Sequence, residues 1–202
     1  MFARVATFEN RDMSRVDELV EIVRSRAVSG NEVPEAVRHV MLLDPRDRSA
    51  LGVTFFESEE ALQASEAAFE RLGEEIPETA RGRRTSVGVY EVAIDDVDGA
   101  TRSARVASLT CAPDRLAEAL RSVREQAQVE ADELGGWKGI VTLVDRTTGV
   151  TKTITFWESD DALRRSEVRE TQLRCRVVAS GGGSIASVHN YDVAVHEAPV
   201  AV

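Results

Sequence analysis

The sequence is short of the features that announce a reactive centre. Its two cysteines, Cys111 and Cys175, have no metal-ligand spacing and can close at most one disulfide, so the chain reads as a reduced, cytoplasmic protein. No basic-then-apolar leader precedes the first strand, which begins at once with Met1-Phe2-Ala3-Arg4, and no apolar run approaches a membrane span. Cations are in deficit: 25 Lys and Arg against 35 Asp and Glu leave a formal charge of −10. That excludes a broad electrostatic grip on nucleic acid or an anionic membrane, and it favours solubility. No His/Cys/Asp cluster has the spacing of a metal site, so no metal is expected. Gly181-Gly182-Gly183 follows a helix rather than opening one, which is the wrong geometry for a phosphate loop. No nucleophile-elbow pattern occurs either. The sequence points to no cofactor.

What is present is a repeat. Phe55-Phe56-Glu57-Ser58 returns as Phe156-Trp157-Glu158-Ser159, 101 residues on in a chain of 202. From Val53–Glu66 to Ile154–Glu167, eight of fourteen positions are identical, and repeats of this kind set architecture before anything else does. Ala104-Arg105-Val106-Ala107 likewise copies Ala3-Arg4-Val5-Ala6. Each copy of the central stretch reads as a β-branched and aromatic strand running into a serine N-cap. Two acids then sit at the positive end of a helix dipole.

Along the first half, the patterns predict strands over 2–9, 35–44, 49–57 and 86–94 and helices over 14–28 and 59–72. The first helix carries Val16, Leu19, Val20, Val23 and Ala27 on one stripe and ends at Ser29-Gly30-Asn31. A polar connection spans 77–84. The second half predicts strands over 103–109, 137–145, 150–158 and 187–195, a helix starting near Pro113 and another over 160–177. Arg146-Thr147-Thr148-Gly149 is a hairpin loop, and Gly181-Gly182-Gly183 is a flexible joint. The expected organisation is therefore a repeat over 1–95, an acidic linker over 96–102, a repeat over 103–197 and a loose tail over 198–202.

Each half has the order β-α-β-β-α-β, which is ferredoxin-like. The fold class is α+β: two ferredoxin-like repeats packed sheet-to-sheet as an intramolecular, pseudo-dimeric α+β barrel. One strand face should meet the helices. The other, ending in Phe56 or Trp157 and carrying Thr151, Thr153 and Thr155, would be covered by the opposite half.

The twin units, the aromatic-Glu-Ser strand end and the Ala-Leu helix resemble the antibiotic biosynthesis monooxygenase-like group of the dimeric α+β barrel superfamily. The resemblance covers nearly the whole chain, though its motif marks fold rather than activity. It implies either a cofactor-independent monooxygenase for a small aromatic or polycyclic substrate, or a non-catalytic barrel holding a small ligand or haem. A degenerate member with a filled cavity is a third reading. The haem-degrading branch would use an early-strand asparagine, for which Asn10 is a loose match, the strand-end Trp157, and a helix histidine that neither 59–72 nor 160–177 supplies.

Candidate residues follow. His189 and Tyr191 are two apart, hence on one strand face, and His189 is a general-base candidate. Its counterpart is Gly88, a hint that only one half keeps a working pocket. Trp157 is either the wall of a flat ligand or a core aromatic. Thr153 and Thr155 offer hydroxyls, and Phe56 repeats Trp157. Arg105, like Arg4, either binds an anion or pairs with a strand-end acid such as Glu57 or Glu158. His39, alternating with Met41 and Leu43, reads as a satisfied, partly buried histidine. The expected partner is a small hydrophobic or aromatic molecule. Internal pairing makes a monomer the default, with a weak homodimer through helix faces or edge strands as the other arrangement.

Overall fold

The strand-to-helix junctions form as their residues dictate. In the computed structural model, which describes residues 1–29 and 33–197, Ser58 Oγ accepts from Ala61 N at 3.1 Å and Ser159 Oγ from Ala162 N at 3.2 Å. Each satisfies an orphan amide of a first helical turn. The chain divides into two compact units: Met1–Tyr90 together with the segment from Val193, and Glu91–Asp192.

The first unit contains β1 (Phe2–Glu9), α1 (Val16–Ser29), β2 (Ala36–Asp44) and β3 (Ser49–Phe56), with a 3-10 turn leading into α1. β3 lies between β1 and β2, antiparallel to both; Arg4 is opposite Thr54 on one side, and His39 is opposite Thr54 on the other. The helix expected over 59–72 is two helices, α2 (Glu59–Ala64) and α3 (Glu66–Glu75). The break falls at Ser65, whose buried Oγ is 2.6 Å from Pro34 O and 3.0 Å from Ala61 O; a serine bonding back onto its own turn bends a helix. The polar connection over 77–84 contains a further turn of helix, α4 (Glu78–Arg81). The proposed helix end at Gly30-Asn31 lies outside the described residues, as do the side chain of Ala27 and the tail beyond Glu197.

β4 (Arg83–Val97) leads into the second unit, which contains β5 (Ser103–Thr110), α5 (Leu116–Glu133), β6 (Trp137–Val144), β7 (Val150–Trp157) and α6 (Asp160–Gly181). β8 (Ser184–Glu197) follows. Two expectations change here. Asp95 and Asp96, read at the edge of a linker, are strand residues opposite Val141 and Ile140, because the alternation of β4 persists through them. Gly181-Gly182-Gly183 is not a loose joint: α6 runs to Gly181, and Gly182 (φ 61°) is a left-handed cap whose N–H bonds Val178 O, a conformation glycine adopts without strain.

The hydrogen-bonded strand order β1-β3-β2-β8-β5-β7-β6-β4 closes on itself as an antiparallel barrel. The α+β class and the barrel of two ferredoxin-like repeats within one chain are therefore as the sequence indicates.

The helix-facing side of each sheet is the reverse of that expected. Phe56 packs with Val33, Ala61, Leu62 and Phe69, and Trp157 with Leu134, Ala162 and Leu163. Thr153 and Thr155 lie beneath Val123 of α5 and Leu173 and Val177 of α6. With almost no loop after the aromatic, the helix folds back over that aromatic's own face.

Candidate functional site

Positions that are equivalent by the repeat form two chemically different sites, one in each unit, between the sheet and its helices. The second unit's site is filled. Arg105, 1 % exposed, makes an ion pair with Glu170, 4 % exposed, and with Glu167 at 2.6 Å. It also donates to Ser166 Oγ at 3.0 Å, Leu163 O at 2.9 Å and Asn190 Oδ1 at 3.1 Å. Arg174 closes the cluster from α6, 3.2 Å from Glu170 and 3.1 Å from Glu167. Buried charges persist only when paired this fully. About 60 Å³ of space remains beside the cluster.

The first unit is open there. A cavity of about 590 Å³ lies between a floor of β1, β2 and β3 and a roof of α1 and α3, within the range of small-ligand sites. The repeat accounts for the space. Glu170 corresponds to Phe69, Arg174 to Gly73, Thr153 to Gly52 and Ile140 to His39. Cβ atoms built at Gly52 or Gly73 would meet nothing within 4 Å. The apolar wall includes Phe8, Leu19, Val23, Met41 and Leu72.

Its polar lining comprises Arg4, His39 and Thr54 together with Glu70, Glu74, Glu78, Arg81, Arg83 and Arg84. Arg4, 5 % exposed, donates through Nε to Glu66 Oε1 at 3.1 Å, and its guanidinium carbon lies 4.0 Å from the Phe69 ring centre, a cation–π contact. His39 Nδ1 is 3.2 Å from Thr54 Oγ1. Burial pushes the His39 pKa down from 6.5 to about 4, so its imidazole is neutral at physiological pH. At the rim, Arg84 pairs with Glu70 at 3.1 Å. Arg81 donates to the carbonyls of Gly73 and Ile76, 3.1 Å each, fixing the end of α3.

The structure divides the residues singled out from sequence. Arg105, Thr153 and Thr155 come together in the second unit's filled site. Trp157 is 0 % exposed; its ring meets Trp137 edge-on with centroids 5.2 Å apart, and its Nε1 donates to Thr155 Oγ1 at 3.2 Å. Phe56 is fully buried and edge-on to Phe69. His189 and Tyr191, ring centres 6.3 Å apart, lie opposite Val106 and Ala104, whereas Asn190 lies opposite Arg105. Strand alternation therefore puts His189 and Tyr191 on the sheet face away from Arg105, Thr155 and Trp157. The arginines pair with helix acids, Glu66, Glu167 and Glu170, rather than with strand-end Glu57 or Glu158; the helix lies over their face of the sheet. Gly52, Phe69 and Gly73 were not singled out as site residues. Their signal was available: each breaks the repeat on the helix-facing side.

No protein-family model matches the chain, and no curated protein does. Solved structures do match. An anthrone oxidase-like protein is similar over 98 % of this chain and 92 % of its own, with a TM-score of 0.67 and 15 % identity. A ferredoxin-fold protein of Listeria monocytogenes 4b F2365, described as related to antibiotic biosynthesis monooxygenases, has a TM-score of 0.54 and 10 % identity over 95 % of this chain and 94 % of its own. LmHde, the haem-degrading enzyme of Listeria monocytogenes, has a TM-score of 0.54 and 9 % identity over 95 % and 99 %. The fold is thus that of the antibiotic biosynthesis monooxygenase-like α+β barrels. At these identities the likeness is one of fold. Among the described residues, no helix is long and apolar enough to cross a membrane.

Proposed function

We propose that the first unit's cavity is the working site of a cofactor-independent, monooxygenase-like enzyme whose planar aromatic substrate supplies its own electrons to oxygen. The observation that carries this reading is the cavity itself: about 590 Å³, largely apolar, with a neutral, half-buried His39 beside Thr54. Neighbours described as an anthrone oxidase-like protein and a relative of antibiotic biosynthesis monooxygenases support it.

His39 takes a proton from an acidic CH2 flanked by aromatic rings. An isolated imidazolium is poorly solvated there, but the enolate formed beside it supplies the counter-charge. The enolate carbon gives its electron pair to O2, a C–O bond forms, and the imidazolium returns its proton to the peroxide. Loss of the second C–H and cleavage of O–O release water and leave a carbonyl, so CH2 plus O2 becomes C=O plus H2O. Both reducing pairs come from the substrate.

The test is oxygen uptake with anthrone- and hydroxynaphthoquinone-type substrates. His39→Gln is expected to lower turnover by about a hundredfold or more, the usual weight of a general base, with little change in binding. Full turnover by His39→Gln, or a loss seen instead with Trp157→Phe and His189→Gln, overturns the reading. Haem binding is the second reading, because His39 offers an imidazole in the wall and Thr54 would orient it as a metal ligand. A Soret shift on adding haemin that His39→Gln removes would favour it.

A further inference from the structure

We propose that the ligand of the first unit's cavity carries a carboxylate and that Arg4 is the residue that recognises it. The inference rests on the reading of that cavity as a ligand site and specifies what enters it. The second unit supplies the template. There the equivalent arginine, Arg105, is held by a buried carboxylate from the helix above it, Glu170, and by a second from Glu167. In the first unit Glu167 is matched by Glu66, which keeps its place on Arg4 Nε. Glu170 is matched by Phe69, so the second carboxylate is missing. Asn190 is matched by Val89, and Ser65 Oγ turns to Pro34 O and Ala61 O instead of meeting the arginine.

Arg4 has therefore lost the partners that satisfy its twin. Among the described residues neither of its Nη groups makes a hydrogen bond, although the side chain is 5 % exposed. A guanidinium held this deep normally has its fork filled, and a carboxylate fits that fork with two parallel bonds. The space left by Gly73, where Arg174 stands in the twin, gives an incoming carboxylate room to reach it. Phe69, already against the Arg4 guanidinium, offers a ring on which the aromatic body of the same ligand packs. The rim adds Arg81, whose guanidinium donates to the backbone carbonyls of Gly73, Ile76 and Gly82.

The test compares 1-hydroxy-2-naphthoic acid, its carboxamide and 1-naphthol by calorimetric titration of the full chain. For the unaltered protein the acid is expected to bind at least about tenfold more tightly than the amide, the weight of one charge-assisted pair. Arg4→Gln should remove that advantage while leaving 1-naphthol binding within about threefold. Phe69→Glu keeps Arg4 but supplies a carboxylate from the chain, as in the second unit, and should also remove the advantage, which guards against misfolding of the arginine variant. Equal binding of acid and amide by the unaltered protein, or an acid preference that survives in Arg4→Gln, overturns the assignment while the cavity reading stands. Failure of all three probes to bind overturns both.

Discussion

Gly73 offers the sharpest separation of stability from function. It lies in the last turn of α3, where glycine costs up to about 1 kcal/mol relative to alanine, and a Cβ there meets nothing within 4 Å. Gly73→Ala should therefore stabilise the protein by about 1 kcal/mol. Gly73→Leu carries the same helix gain and places further apolar groups in the cavity, at about 0.8 kcal/mol per methylene fully buried. Partial burial makes the sum about 2 kcal/mol. For a chain of this size each kcal/mol moves Tm by roughly 2–4 °C, so about 3 °C is expected for alanine and about 6 °C for leucine. Thermal unfolding checks both values. The same leucine occupies ligand space, so it should abolish naphthoate binding and oxygen uptake while it raises Tm, the trade expected where a cavity is kept for use. A leucine variant that is more stable and still binds and turns over normally refutes the placement of the site. A leucine variant that is less stable refutes the emptiness of the space.

Two further tests address the buried charges. His39 titrates near 4 in the folded state and near 6.5 when unfolded. Between those values the unfolded chain binds a proton that the folded chain refuses, so stability is full above about pH 6.5 and falls as pH drops toward 4. The loss is roughly 3 kcal/mol, and urea midpoints at pH 7 and 4.5 should show it in the unaltered protein and not in His39→Gln. In the second unit, Glu170→Gln leaves Arg105 and Arg174 buried with only the half-exposed Glu167, and chemical denaturation should register a cost of about 3–5 kcal/mol. A cost under about 1 kcal/mol would mean that the cluster is solvated rather than buried.

The sequence carried the architecture because architecture is written redundantly. Phe55-Phe56-Glu57-Ser58 and its copy each specify a strand, a cap and a helix, and both Ser58 and Ser159 cap as expected. Which face the helix covers was not legible. Leu51, Val53 and Phe55 look as core-like as Gly52, Thr54 and Phe56, since both sides of the strand are largely buried, and alternation marks a helix-facing side only when one face is wet. That choice decided the candidate site. With the faces exchanged, Trp157 reads as a ligand wall beside His189, whereas its ring is core and His189 lies on the opposite side. The break at Ser65 escaped for a different reason: Ser166 in the repeat sits within an unbroken helix, and only the nearby Pro34 carbonyl gives Ser65 another partner.

The asymmetry of the two sites follows from what an arginine needs when it is buried. Arg4 and Arg105 occupy the same strand position, so each copy inherits a guanidinium that must be neutralised away from water. The second copy does this internally, with Glu170 and Glu167, while Arg174 fills the remaining room, and it gains rigidity at the expense of space. The first copy cannot: Phe69 and Gly73 carry no charge, and Glu66 reaches only Nε. Its remaining demand has to be met from outside the chain, by water or by a ligand. A duplicated fold can thus hold one copy closed by its own side chains and leave the other dependent on what it binds. The residues that mark the difference are the few where the repeat fails on the helix-facing side.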